Sequence, residues 1–247
     1  MKKHTPALLF GAALLLFWQV GAALVGIPHI IPAPTDILRR LWELRRQLFF
    51  THLPTTLSCV LIGFALAMLL GVTLAVLMDR SERVEAMLYP ALVIVQTVPI
   101  MCISPLFVLW FGYTIQARLL AIVLSTFFSI TINTFDGLKS TKPELEELMQ
   151  SFGASRADIF FRIRVPVALP HFMTALKITF PWAVIGAAIA EWLGATRGLG
   201  YFSKRMVSQL DGPAVFAAVL ILSLIANLGT QLVKLLDRRF VTWRNEL

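Results

Sequence analysis

Side chains able to do covalent chemistry are few in this sequence and stand apart from one another. The four histidines, His4, His29, His52 and His171, fall near the ends of different apolar runs. A hydrolytic relay or a metal centre needs such groups converged, and no metal-ligand spacing brings them together. Cys59 and Cys102 lie inside apolar runs and read as small core residues. No glycine-rich loop ends in Gly-Lys-Ser or Gly-Lys-Thr, so the chain has no phosphate cradle of its own for ATP. What is left is polar chemistry in apolar surroundings: Gln96, Thr97 and Ser104 among Pro90, Pro99 and Pro105, then Asn133, Lys177, Trp182 beside Pro181, and Glu191. A charge at the centre of a bilayer costs about 2.5–3.5 kcal/mol, so ionisable groups there face a path or a partner. That pattern suits the lining of a cavity better than a catalytic centre.

The elements that must carry these residues follow from composition. The 247 residues are 57% hydrophobic and 15% charged, with a mean hydropathy of +0.77, whereas soluble domains carry about 25% charged residues. The chain therefore reads as an integral membrane protein, a single domain over 1–247 without internal repeats. Six segments reach the ~20 apolar residues that a crossing helix needs: about 7–27, 53–78, 86–111, 115–136, 170–190 and 213–236. Alternation with a period of two is absent, so a polytopic all-α helical bundle is expected rather than a barrel. The run from Pro6 to Ile27 is longer than the core of a signal peptide and is expected to remain as the first span.

The third span is the unusual one. Freed carbonyls and polar side chains gain nothing against lipid, so backbone broken at that depth is expected to line a cavity. Gln96, Thr97, Pro99, Met101 and Ser104 are therefore candidates for a translocation path, joined by Asn133 from the fourth span and by Trp182 and Glu191 from the fifth. A purely structural kink is the alternative for each third-span residue, and packing is the alternative for Trp182. Glu191, at the outer end of its span, serves either as a gate or as an anchor for the helix end. Lys177 lies about 10 Å into the fifth span from Pro170 and is expected to snorkel inward. After the first span, Pro32 to Asp36 opens an amphipathic helix with Ile37, Leu38, Leu41, Leu44 and Leu48 on one side and Arg39, Arg40, Glu43, Arg45 and Arg46 on the others. It is expected to lie on the outer membrane surface.

One stretch is built for water. Between Lys142 and Pro170 stand Glu144, Glu146, Glu147, Arg156, Asp158, Arg162 and Arg164, too many charges to bury in lipid. Its halves nevertheless look helical. Pro143 suits a first helical position, Leu145, Leu148, Met149 and Phe152 recur at helical spacing, and Gly153 can take a left-handed stop. Ser155 with Asp158 reads as a fresh cap, and Ile159, Phe160 and Ile163 form an apolar stripe ending before Pro166. A helix-turn-helix over 141–169 is expected.

Within that loop, Glu147, Gly153, Ile163 and Pro166 stand where the "EAA" loop of binding-protein-dependent ABC importer permeases has its glutamate, glycine, aliphatic residue and proline. The sequence departs from that pattern where Leu148 and Met149 replace the two alanines after the glutamate. From about Ile31 onward it resembles the nitrate, taurine and sulfonate branch of the family. The resemblance is carried by VPIMCISPLFVLWFG from Val98 to Gly112, by Asn133-Thr134 through Gly137, by Ala190-Glu191-Trp192-Leu193-Gly194 with Gly198-Leu199-Gly200-Tyr201, and by Arg238-Arg239 ahead of Trp243. The segment AEWLGATRGLGYFSKRMVSQLDGP looks like permeases for pyrimidine precursors of thiamine. The resemblance implies a type I ABC importer transmembrane domain whose loop docks a coupling helix into a cleft of a cytoplasmic ABC ATPase. Glu147, Gly153, Ala154, Ser155, Asp158, Ile159, Phe160, Ile163 and Pro166 would carry that coupling. It further implies that ATP and Mg are used by the partner ATPase, with no cofactor on this chain. An extracytoplasmic substrate-binding protein would deliver the cargo, and a second permease copy would complete a homodimer.

Basic residues orient the bundle. With the N-terminus inside, the cytoplasmic pieces hold thirteen Lys and Arg, among them Lys2, Lys3, Lys142, Arg156, Arg162, Arg164 and Arg244, against eight outside. Both termini and the loop are thus expected in the cytoplasm of a bacterial inner membrane. The net charge of +8 is accounted for by topology and lipid headgroups, leaving no role for nucleic acid. The alternative function is an ion-coupled carrier acting alone. Such carriers place carboxylates or a histidine at mid-membrane and show inverted repeats, and neither is evident.

Overall fold

The computed structural model describes residues 5–243, and every regular element among them is a helix. Lys2, Lys3, His4 and Arg244 of the sequence reading lie outside the described residues. α1 (Thr5–Val25) leads to a short outer helix, α2 (Pro34–Glu43). Then come α3 (Arg45–Arg80), α4 (Glu82–Val95), α5 (Ile100–Phe111), α6 (Ile115–Lys139), α7 (Pro143–Ser151), α8 (Arg156–Gly194), α9 (Leu199–Ser208) and α10 (Gly212–Phe240). By length and composition α3, α6, α8 and α10 can each cross a membrane, and the α4–α5 pair makes a fifth crossing if counted as one. α1 contributes a shorter apolar helix, Leu9–Val25. Against six expected crossings, four to five are thus secured.

Three expectations are corrected. The third span is not one helix, because α4 and α5 meet at 99° across residues 96–99. Pro99 has no N–H and disfavours helical geometry at Val98, so one helix stops at Val95 and the next starts at Ile100. The loop helix does not end before Pro166 either: α8 runs unbroken for 39 residues. A π-helical turn over Phe160–Arg164 makes this possible, with the Val165 N–H bonded to the Phe160 carbonyl five residues back. The widened turn admits the proline ring without the usual clash with the carbonyl four residues earlier. Finally, the outer amphipathic helix breaks at Leu44 instead of continuing to Leu48. Ile37 and Leu48 are buried as expected, whereas Leu38 faces outward. Arg40 fastens α2 to the head of α10 through Asp211, at 2.6 and 2.9 Å, and its bond to Glu43 holds that carboxyl below its usual range.

α6 is the central helix, packed along α3 on one side and α8 on the other, and α8 in turn packs on α10. Lipid tails are as apolar as leucine, so helices in a bilayer hold together through close approach and dense contact. α3 provides that approach with buried Gly63, Ala67, Gly71 and Ala75, one small residue every four. A Cβ added at Gly63 would stand 2.7 Å from Ile122 Cγ2, and one at Gly71 2.9 Å from Ile130 Cγ2. Both isoleucines belong to α6. Gly71→Leu should therefore lower the thermal midpoint of the purified protein, by an overpacking cost of about 1–3 kcal/mol. Gly11→Leu should leave it unchanged, since nothing lies within 4 Å of a Cβ there.

Candidate functional site

The water-exposed loop takes the expected turn. α7 ends in a left-handed stop at Gly153, φ 79°, where the Gly153 N–H bonds the Gln150 carbonyl and the Ala154 N–H bonds that of Met149. Ser155 then opens α8 with a reciprocal cap: its hydroxyl accepts from the Asp158 N–H at 3.1 Å, and the Asp158 carboxylate accepts from the Ser155 N–H at 3.3 Å. Glu147 is exposed and Ala154 half-buried. The apolar stripe faces a different way from the one expected. Ile159 and Ile163 are only 4% and 8% exposed and Phe160 is half-buried, so they pack into the chain itself. The most open large apolar side chains of the loop are Phe152 at 79%, Phe161 at 67% and Leu148 at 52%.

Arg164 fixes the loop to the bundle, a role the sequence reading missed. Its Nε and Nη2 donate to the two Glu146 oxygens at 2.7 and 2.9 Å, and its Nη1 donates to both Asp79 oxygens at 3.0 Å. One guanidinium thereby joins α8, α7 and the inner end of α3, in the bidentate geometry that planar arginine favours. The partners lie 18 and 85 positions away in sequence, so spacing gave no signal for them.

A cavity of about 510 Å³ opens at the break between α4 and α5. Gln96, Pro99 and Met101 line it from the break, Leu124, Ser125, Phe128 and Ser129 from α6, and Ile178, Thr179 and Trp182 from α8. Four of the expected path residues, Gln96, Pro99, Met101 and Trp182, are thus brought together. The other four are not in the lining. Thr97 donates to the Ile94 carbonyl, Ser104 is buried and donates to that of Ile100, and Asn133 donates to the Ser129 carbonyl one turn further along α6. Ser125 and Ser129 were missed, although Ser125, Ser129 and Asn133 recur every four residues along α6, a spacing that marks one face.

Glu191 is the fourth, and its hydrogen bonds run to neighbouring helices, in the geometry of an anchor. It is fully buried, and its Oε2 accepts from Thr56 Oγ1 at 3.0 Å and from the Gly200 N–H at 2.9 Å. The Leu199 N–H donates to Thr56 Oγ1 at 2.8 Å, and the Gly198 N–H to His52 Nδ1 at 3.2 Å. The free N–H groups at the start of α9 are therefore capped by side chains of α3 and α8, with the carboxylate at the positive end of the helix dipole. Gly198 stands at φ 116°, and a Cβ there would overlap the Glu191 carboxyl group. Lys177 does not snorkel alone, for its Nζ pairs with Asp237 of α10 at 2.9 Å.

A membrane helical bundle in which one rigid helix joins a water-exposed loop to a mid-bundle cavity has the build of a transporter subunit. The chain belongs to the family described as "Binding-protein-dependent transport system inner membrane component", whose model matches residues 67–242, and it is an ABC importer permease. It is 49% identical, over 100% of both chains, to the formylaminopyrimidine transport permease protein ThiX of Halalkalibacterium halodurans. It is 32% identical to a putative aliphatic sulfonates transport permease protein of Bacillus subtilis, covering 96% of this chain and 87% of that one. Among solved structures, an amino acid ABC transporter with histidines matches with a TM-score of 0.67 at 17% identity, over 81% of this chain and 96% of that one. An inward-facing MetNI methionine ABC transporter matches with a TM-score of 0.56 at 21% identity, over 78% and 96%. Both share the fold.

The cap on α9 predicts a stability order. Glu191→Ala leaves the Gly200 N–H buried without a partner, at about 1–3 kcal/mol, and Glu191→Gln keeps an acceptor there. Thermal unfolding of purified protein should rank parent above Gln, and Gln above Ala, with Gly198→Ala as low as Glu191→Ala. A Glu191→Ala protein as stable as the parent would contradict the cap.

Proposed function

We propose that this permease carries a neutral aminopyrimidine of the formylaminopyrimidine kind across a bacterial inner membrane. The observation that carries the reading is the cavity at the α4–α5 break, whose lining is aromatic, aliphatic and neutral polar, with no charged side chain. An uncharged heteroaromatic ring suits such a lining. A sulfonate, taurine or nitrate would bring a full charge into it without a cationic partner, which is costly. The 49% identity to a formylaminopyrimidine permease supports the same cargo.

Energy comes, on this reading, from a separate cytoplasmic ABC ATPase that uses ATP and Mg, and this chain is a non-catalytic subunit. A substrate-binding protein loads the outer side, a second copy of the permease completes the path, and both termini lie in the cytoplasm. Docking rests on the loop. Glu147, Gly153, Ala154, Ser155 and Asp158 shape and present it, and the exposed Phe152, Phe161 and Leu148 offer the contact surface. Ile159, Phe160 and Ile163 tie that surface to the bundle, and Pro166 lies just past the π-helical turn through which it continues into α8. ATP-driven approach of two ATPases would thereby move α8 as a rod and change access to the cavity.

Two measurements test this. Proteoliposomes holding the permease with its ATPase and loaded binding protein should accumulate formylaminopyrimidine when ATP is supplied, and taurine should not accumulate. The permease alone should show neither ATPase activity nor uptake driven by a proton or sodium gradient, and gradient-driven uptake would return the ion-coupled carrier to first place. Phe161→Asp should reduce co-purification of the ATPase about five-fold or more, since a charge in an apolar contact costs on the order of 1–3 kcal/mol. Gly153→Val should impair coupling more than Gly153→Asn, because asparagine tolerates a positive φ and a β-branched residue does not.

A further inference from the structure

Within the proposed aminopyrimidine reading, on which this step rests, we infer that Gln96 is the residue that reads the cargo's amino edge. Two of the three hydroxyls of the cavity have little left to give as donors. Ser125 Oγ donates to the Ala121 carbonyl and Thr179 Oγ1 to that of Ala175, so their hydrogens are spent inside their own helices and only lone pairs face the cavity. Ser129 Oγ is reached by the Asn133 Nδ2 amide at 3.5 Å and keeps its hydrogen. Gln96 is different. It sits in the break where α4 stops, its backbone N–H is bonded to the Leu92 carbonyl, and its side chain is exposed with no hydrogen bond among the described residues. It therefore brings a complete carboxamide, donor and acceptor on one planar group, into a cavity whose other polar side chains are hydroxyls.

A 4-aminopyrimidine presents a matching pair along one edge, a ring nitrogen that accepts and an exocyclic amino group that donates. A carboxamide binds such an edge with two parallel hydrogen bonds, as glutamine and asparagine do on the corresponding edge of adenine. The second amino hydrogen can be taken by a hydroxyl lone pair of Ser125 or Thr179. Trp182 and Phe128, one from each wall, supply faces on which the ring can stack. The 99° bend explains why the carboxamide stands here: a continuous helix would carry residue 96 in regular register, whereas the break exposes it at the mouth of the cavity.

The test is saturation-transfer NMR on the permease in nanodiscs, with 4-amino-2-methylpyrimidine and 2-methylpyrimidine as probes. The parent should prefer the amino compound about ten-fold, the worth of one good bidentate pair. Gln96→Ala should bring the two probes to near parity while both still bind weakly against Trp182. Gln96→Asn, which keeps the carboxamide on a shorter arm, should restore part of the preference and controls for damage to the fold. A Gln96→Ala protein that keeps the full preference overturns the role of Gln96 and leaves the cargo reading standing. A parent that binds neither probe, or both equally, overturns the aminopyrimidine cargo itself.

Discussion

A helix cannot carry force around a break, and the position of every working part here depends on α8 having none. Pro166, Pro170 and Pro181 all fall within it, yet it stays continuous from Arg156 to Gly194. The five-residue π-helical turn at Phe160–Arg164 is what removes the most serious obstacle, the proline that would otherwise end the loop helix. At 1.5 Å per residue the 39-residue rod is roughly 58 Å long, against about 30 Å of hydrocarbon, so its first turns stand in water while its middle lines the cavity. Three features that are separate in kind, the loop, the cavity wall and the cap on α9, are thus stations on a single element.

The two ends of that rod are fixed by different chemistry, each suited to its depth. At the loop end Arg164 holds Glu146 and a buried Asp79 in a planar fork, where bidentate hydrogen bonds offset the cost of taking these charges out of water. At the other end Glu191 is held through one oxygen by the Thr56 hydroxyl and the Gly200 N–H, which at the same time satisfies the start of α9. Between them the rod carries almost no charge, and Lys177 is matched by Asp237. The cavity beside it is left with a lining free of charged side chains.

Membership in a permease family narrows what the loop and the cavity do but leaves their division of labour to the residues. Packing of Ile159 and Ile163 into the chain itself leaves aromatic residues one and several positions away as exposed apolar side chains of the loop. A one-residue change in which face is buried is a rotation of about 100° on a helix, enough to exchange contact residues completely.

Much was legible from the residues alone. Apolar runs near the ~20-residue crossing length gave the bundle, because lipid leaves a spanning backbone few other choices. Gly153 and the Ser155 to Asp158 spacing gave the turn and the new helix start, because those signals act within a single turn of chain. The prolines of the third span marked a disturbed backbone there and, with it, three of the residues that line the cavity, Gln96, Pro99 and Met101. Tertiary structure alone decided the rest. Whether Pro166 ends a helix depends on a hydrogen-bond register that sequence does not encode locally. Whether Glu191 faces a path or caps α9 depends on Thr56 of a helix 135 positions away. The orientation of a helix face, and the partner of a buried charge, are settled only when helices distant in sequence pack together, because burial is a property of the assembled bundle.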